Sequence, residues 1–442
     1  MRTIYNILFT IFFFLSSPYY FFRMCRRGNW LKGFSERFGQ HDPRIKQALT
    51  NRQSIWLHAV SVGEVNVCTH LIRAIERRLP NAKIVVSTTT TTGMGELKSK
   101  LPTHVTKIYY PIDRRHYVSR AMATVSPKAI VLVEAEIWPN FIWRANALNI
   151  PIFLVNARLS ERSHRGYRRF GFLFRPLFAS FTGIGAQNDA DAKRLIELGC
   201  RPEVVRVVGS LKFDAAKLDE RTSINVPAML AQLGVPTDAQ LLVCGSTHAG
   251  EEALLAAMFL RLKARFPKLF LVLVPRHMER ARDVSRDLQS AGLKFITRSD
   301  VSSQKQLGRD EIQCLLVNTT GELRHFYEHA TVVFVGKSLT AEGGQNPIEP
   351  GALGKPVLFG PNMQNFAEAA HNFVSNDAAI QVRDAAGLET ALADLLSNPS
   401  RCEELGVNAR RVVKENLGAV ERTTNMIVET IELSGLHLGA RR

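Results

Sequence analysis

A regular alternation of short apolar runs with longer amphipathic runs is the feature that most limits the folds open to this chain. The apolar runs of the first half predict strands at Ser54–Val60, Lys83–Thr88, Lys107–Tyr110, Ala129–Glu134, Ile152–Asn156, Gly183–Gln187 and Val204–Gly209. Between them, apolar residues recur with helical spacing, as in Val65–Leu79 and Asp189–Leu198. Because buried strands separated by helices form parallel sheets, this half is predicted to be a doubly wound α/β domain.

The alternation stops at the polar stretch Asp214–Pro236 and then begins again. The second set of predicted strands is Leu241–Gly245, Leu269–Val274, Leu293–Thr297, Cys314–Asn318, Val332–Val335 and Pro356–Phe359. Helical spacing continues through the tail Ala385–Leu433, which predicts two or three helices. We therefore expect two Rossmann-like domains, 28–214 and 237–442, joined by a linker at 215–236. Ligands of such sheets bind outside the carboxyl ends of the strands.

The first residues have a different composition. Ile4–Phe22 is almost entirely apolar and is followed by the basic segment 23–27. A run of about 20 apolar residues can cross a bilayer as a helix, but Pro18 and polar residues interrupt it, so a helix in the membrane interface is one alternative and a buried core helix is another. Basic residues after the apolar run argue against a cleaved signal peptide. Residues 1–27 are predicted to be a membrane anchor, with the rest of the chain in the cytoplasm.

The net charge restricts the class of partner. Lys+Arg total 57 and Asp+Glu total 40, a formal charge of +17. This excess favours a phosphorylated substrate, an anionic membrane surface or nucleic acid. The segment Arg158–Arg175 interleaves arginines with aromatic residues, which fits a membrane-facing surface. A nucleic-acid partner is not expected, because no recognition motif accompanies the charge.

Several common site motifs are absent from the sequence. No G-x-G-x-x-G follows a predicted strand and there is no phosphate-binding P-loop, so NAD and P-loop ATPase chemistry are not expected. The 6 cysteines are scattered without a C-x-x-C pair, and no His/Cys group has metal-ligand spacing. Neither a cofactor nor a metal is predicted.

The stretch His58–Glu64 joins the first predicted strand to the first helix, where a doubly wound domain keeps its ligand site. Ser61 and Glu64 have the spacing of a helix capping box, which is a purely structural role. Glu64 is also a candidate general base, because a helix N-terminus favours an ionised carboxylate. The residues alone leave both interpretations open.

Charged residues also follow other predicted strands. Glu134 and Glu136 lie at the end of Ala129–Val133 and would share one side if the strand continued. Lys212 and Arg276 each come just after a strand and could bind phosphate. The segment Glu342–Val357 is rich in glycine and proline; its predicted helix start could bind an anion, and Glu349 could hold ribose hydroxyls. A plain loop and helix is the alternative there.

Ordered motifs across most of the chain resemble one family, the 3-deoxy-D-manno-octulosonic acid (Kdo) transferases of lipopolysaccharide synthesis, in glycosyltransferase family 30. The motifs are SERFG (Ser35–Gly39), HAVSVGE (His58–Glu64), VEAEIWPN (Val133–Asn140), NARLSERS (Asn156–Ser163), AQNDAD (Ala186–Asp191), GSLKFD (Gly209–Asp214), STHAGEE (Ser246–Glu252), LVPRH (Leu273–His277), TTGEL (Thr319–Leu323) and GGQNPIEP (Gly343–Pro350). The resemblance implies a GT-B fold with an N-terminal acceptor domain and a C-terminal nucleotide-sugar domain.

The resemblance also implies an activity and its residues. It implies that Kdo is transferred from CMP-Kdo to the lipid A precursor, lipid IVA, on the cytoplasmic face of the inner membrane. Carried over by motif, Glu64 is the proton acceptor, and Glu134 and Lys212 stabilise the transition state. The positions that would bind CMP are Pro275, Arg276, Thr320, Gly321, Glu322, Asn346, Pro347, Ile348 and Glu349.

One departure from the family lies at Gly336-Lys337-Ser338, where relatives often have Gly-Gly-Ser. The lysine adds a cation near the expected donor loop and leaves the details of donor contact open. The alternative activity is that of a GT-B glycosyltransferase with a UDP-sugar donor. The number of Kdo units transferred does not follow from the sequence.

Overall fold

The computed structural model describes residues 2–26, 33–50, 53–134, 136–214, 224–301, 307–308 and 311–433. The chain divides into two compact units, of which unit 1 comprises Met1–Ala215 with Leu417–Arg442 and unit 2 comprises Ala216–Asn416. Each unit is built on a parallel sheet with helices between the strands. The prediction of two Rossmann-like α/β domains is confirmed.

The sheet of unit 1 has seven strands within the described residues, in the order β3-β2-β1-β4-β5-β6-β7. The strands are β1 (Ser54–His58), β2 (Lys83–Thr88), β3 (Thr106–Tyr109), β4 (Pro127–Val133), β5 (Ile152–Ala157), β6 (Gly183–Ala186) and β7 (Val205–Val207). All paired strands are parallel. The order reverses between β1 and β4, so this pair forms the switch point where a doubly wound sheet binds its ligand.

Helices cover both faces of this sheet. The helices in this part of the chain are α1 (Arg2–Arg26), α2 (Pro43–Leu49), α3 (Val62–Arg78), α4 (Thr91–Lys100), α5 (Arg115–Val125), α6 (Pro139–Ala147), α7 (Glu161–Arg169), α8 (Gly171–Phe178), α9 (Asp189–Glu197) and α10 (Leu211–Asp214). Alternate residues of β1 enter opposite cores, with Trp56 on one side and Ile55 and Leu57 on the other. Because both sides are buried, β1 is a continuous apolar run rather than an alternating one.

The sheet of unit 2 also has seven strands within the described residues, in the order β10-β11-β9-β8-β12-β13-β14. Its elements are α11 (Val226–Gln232), β8 (Gln240–Thr247), α12 (Glu251–Arg265), β9 (Leu269–Pro275), α13 (Ala281–Ser290), β10 (Phe295–Thr297), β11 (Cys314–Leu316), α14 (Leu323–His329), β12 (Val332–Val335), α15 (Ile348–Ala352), β13 (Val357–Phe359), α16 (Ala367–Ser375), β14 (Ile380–Gln381), α17 (Ala385–Ser397) and α18 (Pro399–Asn416). The order reverses between β8 and β12. The two-residue strand β14 is too short to have produced a sequence signal.

The final helix, α19 (Ala419–Leu433), corrects the predicted domain boundary. We expected the chain from residue 237 to its end to form one domain, but α19 belongs to unit 1 and packs against α3 and α10. Met426, Ile427 and Ile431 are buried in the core of unit 1. Part of the predicted linker, residues 215–223, lies outside the described residues, and α11 belongs to unit 2.

The N-terminal helix α1 is attached to unit 1 by one of its sides. The Tyr5 hydroxyl donates to Asp113 Oδ2 at 2.7 Å, and the Tyr5 ring packs edge-on against Trp143 of α6. Asn140 Nδ2 donates to Asn6 Oδ1 at 2.9 Å. In the part of the chain that the structure describes, no helix combines the length and the apolarity needed to cross a membrane.

Candidate active site

Glu64 lies at the first turn of α3, directly after β1. Ser61 is the N-cap, and its Oγ accepts from Glu64 N at 3.2 Å. In return the Glu64 carboxylate accepts from Ser61 N at 3.3 Å and from Val60 N at 2.8 Å. The capping box predicted from the sequence is therefore present. The same carboxylate lies at the switch point between β1 and β4, so the structural role does not exclude a chemical one.

The environment of Glu64 perturbs its ionisation. Burial, followed by repulsion from Glu134, raises the pKa of Glu64 to about 7, against the opposing effect of the Val60 amide. The sequence suggested that the helix N-terminus would keep this carboxylate ionised, but burial and the neighbouring charge outweigh that effect. A carboxyl group that titrates near neutral pH is well matched to general-base catalysis, since it is both partly ionised and basic enough to take a proton.

Glu134 lies next to β4 and is held by two side chains. Lys212 Nζ of α10 is 3.3 Å from Glu134 Oε1, and Asn156 Nδ2 donates to the same oxygen at 3.4 Å. The strand ends at Val133 and Glu134 has a φ of 62°. The alternation that would have put Glu134 and Glu136 on one side therefore stops before these residues. Glu134, which follows β4, and Lys212 of α10 thus form a pair at the same edge of the sheet as Glu64.

Asn156, at the end of β5, connects these groups and was not singled out from the sequence. Its Oδ1 accepts from Leu211 N at 3.1 Å, which fixes the start of α10 beside Glu134. Its own carbonyl accepts from Gln187 Nε2 at 3.0 Å. The residue has a φ of 52°, a conformation that asparagine tolerates better than most residues. A lone asparagine at a strand's carboxyl end was the available signal, and it is a weak one.

Two other residues of these motifs have structural roles. Asp214, at the end of α10, accepts from Gly418 N at 2.8 Å and from Val420 N at 2.7 Å. It therefore ties α10, and with it Lys212, to the start of α19. His58 is fully buried, stacks on Tyr110 with ring centroids 3.9 Å apart, and has a pKa lowered to about 3 by that burial. Its imidazole is a neutral core group.

The predicted donor residues of unit 2 follow three strands of its sheet. Pro275 ends β9 and is buried, whereas Arg276 is exposed. Thr320 and Gly321 are exposed after β11, and Gly321 has a φ of 85°. Asn346 Oδ1 accepts from Ile348 N at 3.0 Å, so its side chain caps the turn that leads into α15. The sheet order brings the ends of β11, β9 and β12 to one edge.

Two glutamates of unit 2 lie in different surroundings. Glu322 forms a two-pronged ion pair with Arg298, at 3.0 and 3.2 Å, and accepts from Thr319 Oγ1 at 2.6 Å. Glu349 is half-buried in the first turn of α15, next to the buried Pro347. Within the described ranges, no group of three or more His, Cys, Asp or Glu side chains is placed to hold a metal ion.

Two sequence profiles match the chain. The profile described as 3-deoxy-D-manno-octulosonic-acid transferase (kdotransferase) matches residues 32–215, and that of glycosyl transferases group 1 matches residues 297–412. A solved structure of a UDP-GlcNAc 2-epimerase from Neisseria meningitidis aligns with a TM-score of 0.59 and 13% identity, over 85% of this chain and 100% of that one. At that identity the likeness shows the fold alone, which is GT-B-like.

Full-length relatives carry the family assignment. A 3-deoxy-D-manno-octulosonic acid transferase from Haemophilus influenzae is 32% identical, over 88% of this chain and 93% of the relative. Another, from Bordetella pertussis, is 33% identical, over 92% of this chain and 94% of the relative. This similarity confirms the resemblance seen in the motifs: the chain belongs to the Kdo transferase family of lipopolysaccharide synthesis, and it is a glycosyltransferase.

Proposed function

We propose that this protein is an inverting transferase that moves Kdo from CMP-Kdo to lipid IVA. The observation that carries the proposal is the placement of Glu64, a buried carboxylate with a pKa raised to about 7, beside the Glu134–Lys212 pair at the switch point of unit 1. A base that titrates near neutrality is what deprotonation of a sugar hydroxyl requires. A purely structural capping residue has no need of a raised pKa.

The reaction is a single displacement. As the acceptor hydroxyl oxygen forms a bond to the anomeric carbon of Kdo, its proton passes to Glu64. The bond between that carbon and the CMP phosphate oxygen breaks, and its electron pair leaves with CMP. The transition state resembles an oxocarbenium ion, as in glycoside hydrolysis. Attack opposite the leaving group inverts the anomeric centre.

The Glu134–Lys212 pair is assigned to the transition state. An ammonium and a carboxylate held 3.3 Å apart present both signs of charge at the edge that carries the base. Preorganised charges of this kind stabilise developing charge without reorganisation during the reaction. On the donor side, Arg276, Thr320–Glu322 and Asn346–Glu349 are assigned to CMP.

Association with the membrane surface is part of the proposal. Large apolar side chains are exposed along α1, and those more than half exposed are Ile4, Ile7, Leu8, Ile11, Phe12, Phe14, Leu15, Tyr19 and Phe22. A contiguous apolar patch of this kind fits the interface between lipid headgroups and acyl chains. Four exposed arginines of α7, followed by exposed Phe170 and Phe172, add attraction to anionic lipid. On this proposal the protein works at the cytoplasmic face of the inner membrane.

The activity is tested with purified protein, CMP-Kdo and lipid IVA, and with UDP-sugars as competing donors. We expect transfer from CMP-Kdo, loss of that transfer in Glu64→Gln, and little change in Glu76→Gln, the same substitution at the other end of α3. Transfer from a UDP-sugar alone would support the alternative glycosyltransferase activity instead.

Membrane association is tested by flotation with anionic vesicles. Replacing Leu8, Phe12 and Leu15 by serine should reduce flotation and leave the fold intact, because these three side chains are more than half exposed and the hydrogen-bonded Tyr5 and Asn6 are unchanged. Val407→Ser, an equally exposed position on α18, is the control. Equal flotation of both variants would refute the role of α1.

A further inference from the structure

The switch point of unit 2 carries a cationic group that the assigned donor residues do not include. Strands β8 and β12 are neighbours, and His248 and Lys337 come just after their ends. The two strand ends are in close contact, since a Cβ at Gly336 would lie 2.5 Å from Thr247 Cα. His248 and Lys337 therefore lie at the point of the sheet where a ligand is expected.

The backbone of both residues is fixed by one buried carboxylate. Glu251, which is fully buried, accepts from His248 N at 2.9 Å and from Lys337 N at 2.7 Å. It also accepts from Ser338 N at 2.9 Å and from Leu339 N at 3.0 Å. Its oxygens are thus occupied by backbone amides. Among the described residues, no carboxylate forms an ion pair with the Lys337 ammonium.

Lys337 adopts a backbone conformation that is unfavourable for a lysine. Its φ is 55°, in the left-handed region that glycine enters without cost. Strained non-glycine residues concentrate where a function keeps them. A function of the Lys337 side chain, such as binding a ligand, would therefore explain why a lysine is kept in this conformation.

The side chain of Lys337 lies along the glycine-rich loop proposed to bind CMP. Gly344 N donates to the Lys337 carbonyl at 2.9 Å. A Cβ placed on Gly343 would lie 3.3 Å from Lys337 Nζ, so the ammonium lies directly against that glycine. Asn346 follows two residues after this glycine pair. The Lys337 ammonium is therefore next to the proposed phosphate site, but it is not one of the backbone N–H groups that would bind the phosphate there.

His248 has the character of a neutral donor beside this cation. Burial, followed by the charges of Lys337 and Arg280, lowers the pKa of His248, while Glu251 opposes them. Arg280 is itself neutralised by Glu252, which it contacts at 2.7 and 3.1 Å. His248 Nδ1 is buried without a hydrogen-bond partner among the described residues. The pair thus offers one positive charge and one imidazole.

We propose that Lys337 and His248 bind the carboxylate of the transferred sugar and so select an ulosonic acid donor. The inference rests on the proposed function. In a 2-ulosonic acid such as Kdo, the carboxylate is bonded to the anomeric carbon, which also bears the phosphate oxygen of CMP. The carboxylate must therefore lie close to the phosphate. A UDP-hexose has no such carboxylate, so a lysine there would gain nothing from it.

The test compares the KM for CMP-Kdo with inhibition by CMP, which lacks the sugar carboxylate. Lys337→Met keeps the length of the side chain and removes its charge. We expect its KM for CMP-Kdo to rise about tenfold to a hundredfold, the loss of one charge-assisted hydrogen bond, with the inhibition constant of CMP unchanged. Lys294→Met, before β10 at the opposite edge of the sheet, should change neither value.

A second variant separates the charge from the strain. Lys337→Gly relieves the backbone, because glycine enters the left-handed region without cost, and should show the same rise in KM without loss of stability. His248→Gln should raise the KM as well. An unchanged KM in both Lys337 variants overturns the inference, and so does a parallel rise in the CMP inhibition constant, which would assign the cation to the phosphate. If the wild-type protein does not use CMP-Kdo at all, that result refutes the proposed function, and the inference about Lys337 and His248, which rests on it, is refuted with it.

Discussion

Replacing Glu64 by glutamine should remove activity and at the same time raise the stability of unit 1. Glutamine has nearly the same size and can also serve in a capping box. It cannot take a proton from the acceptor hydroxyl. Turnover is expected to fall by about two to four orders of magnitude, the usual contribution of a positioned general base.

The gain in stability follows from the raised pKa of Glu64. Burial raises it to about 7 in the folded protein, against the ordinary value of 4.5 for an unperturbed glutamate carboxyl. The folded state therefore favours the protonated form, and the stability this contributes is complete below pH 4.5 and is lost as the pH rises to about 7. The difference between the two pKa values corresponds to about 3 kcal/mol. Glutamine does not ionise and has no such loss.

The assay is urea-induced unfolding of both proteins at two pH values. All 4 tryptophans lie in the part of the sequence that forms unit 1, so their fluorescence follows that unit. The advantage of Glu64→Gln in the free energy of unfolding should grow by about 2 kcal/mol between roughly pH 5.5 and pH 8. Glu76→Gln should show no comparable change.

Two results would refute this reasoning separately. Near wild-type turnover in Glu64→Gln would leave this residue with its capping role alone. A stability difference that is the same at both pH values would show that burial does not perturb the ionisation of Glu64, even if the variant were inactive.

Three further predictions concern other parts of the protein. In Glu134→Gln the acid limb of the normalised pH–rate profile should move to lower pH than in wild type, because the repulsion that helps to raise the pKa of Glu64 is gone. Arg276→Ala should raise the KM for CMP-Kdo about tenfold to a hundredfold and leave the acceptor KM unchanged in steady-state kinetics. Tyr5→Phe should lower the free energy of unfolding by about 1–3 kcal/mol in chemical denaturation, because the buried Asp113 loses a hydroxyl donor.

The sequence predicted the elements whose signal is local. The strands β1, β4 and β9 are buried on both sides, so each appears as a continuous apolar run with a turn signal at its end. Because ligands of such sheets bind at the carboxyl ends of the strands, these ends predicted that Glu64, Glu134 and Arg276 lie at ligand-binding edges. Candidate residues found in this way follow from the order of strands and helices along the chain, and finding them needs no knowledge of contacts between distant residues.

The features that escaped prediction depend on residues far apart in the chain. Helix α19 has the same amphipathic pattern whichever sheet it covers, so its return to unit 1 is fixed only by contacts such as Asp214 with Gly418. The pKa of Glu64 depends on Glu134, and the attachment of α1 depends on Tyr5 meeting Asp113. No window of sequence contains both partners of any of these pairs.

Backbone strain gives an independent indication of where the chemistry lies. The described non-glycine residues with positive φ are Ser126, Glu134, Asn149, Asn156, Ser246, Lys337 and Asp377. Three of them, Ser126, Asn149 and Asp377, follow helices, where a left-handed residue is a common way to end the last turn. The other four lie at the carboxyl ends of β4, β5, β8 and β12, next to or within the proposed groups of each unit. No helix ending accounts for those four, and strained residues persist where the surrounding structure holds them for a function. Lys337 shares this property with Glu134 and Asn156, which supports the proposal that it belongs to the ligand-binding edge of its sheet.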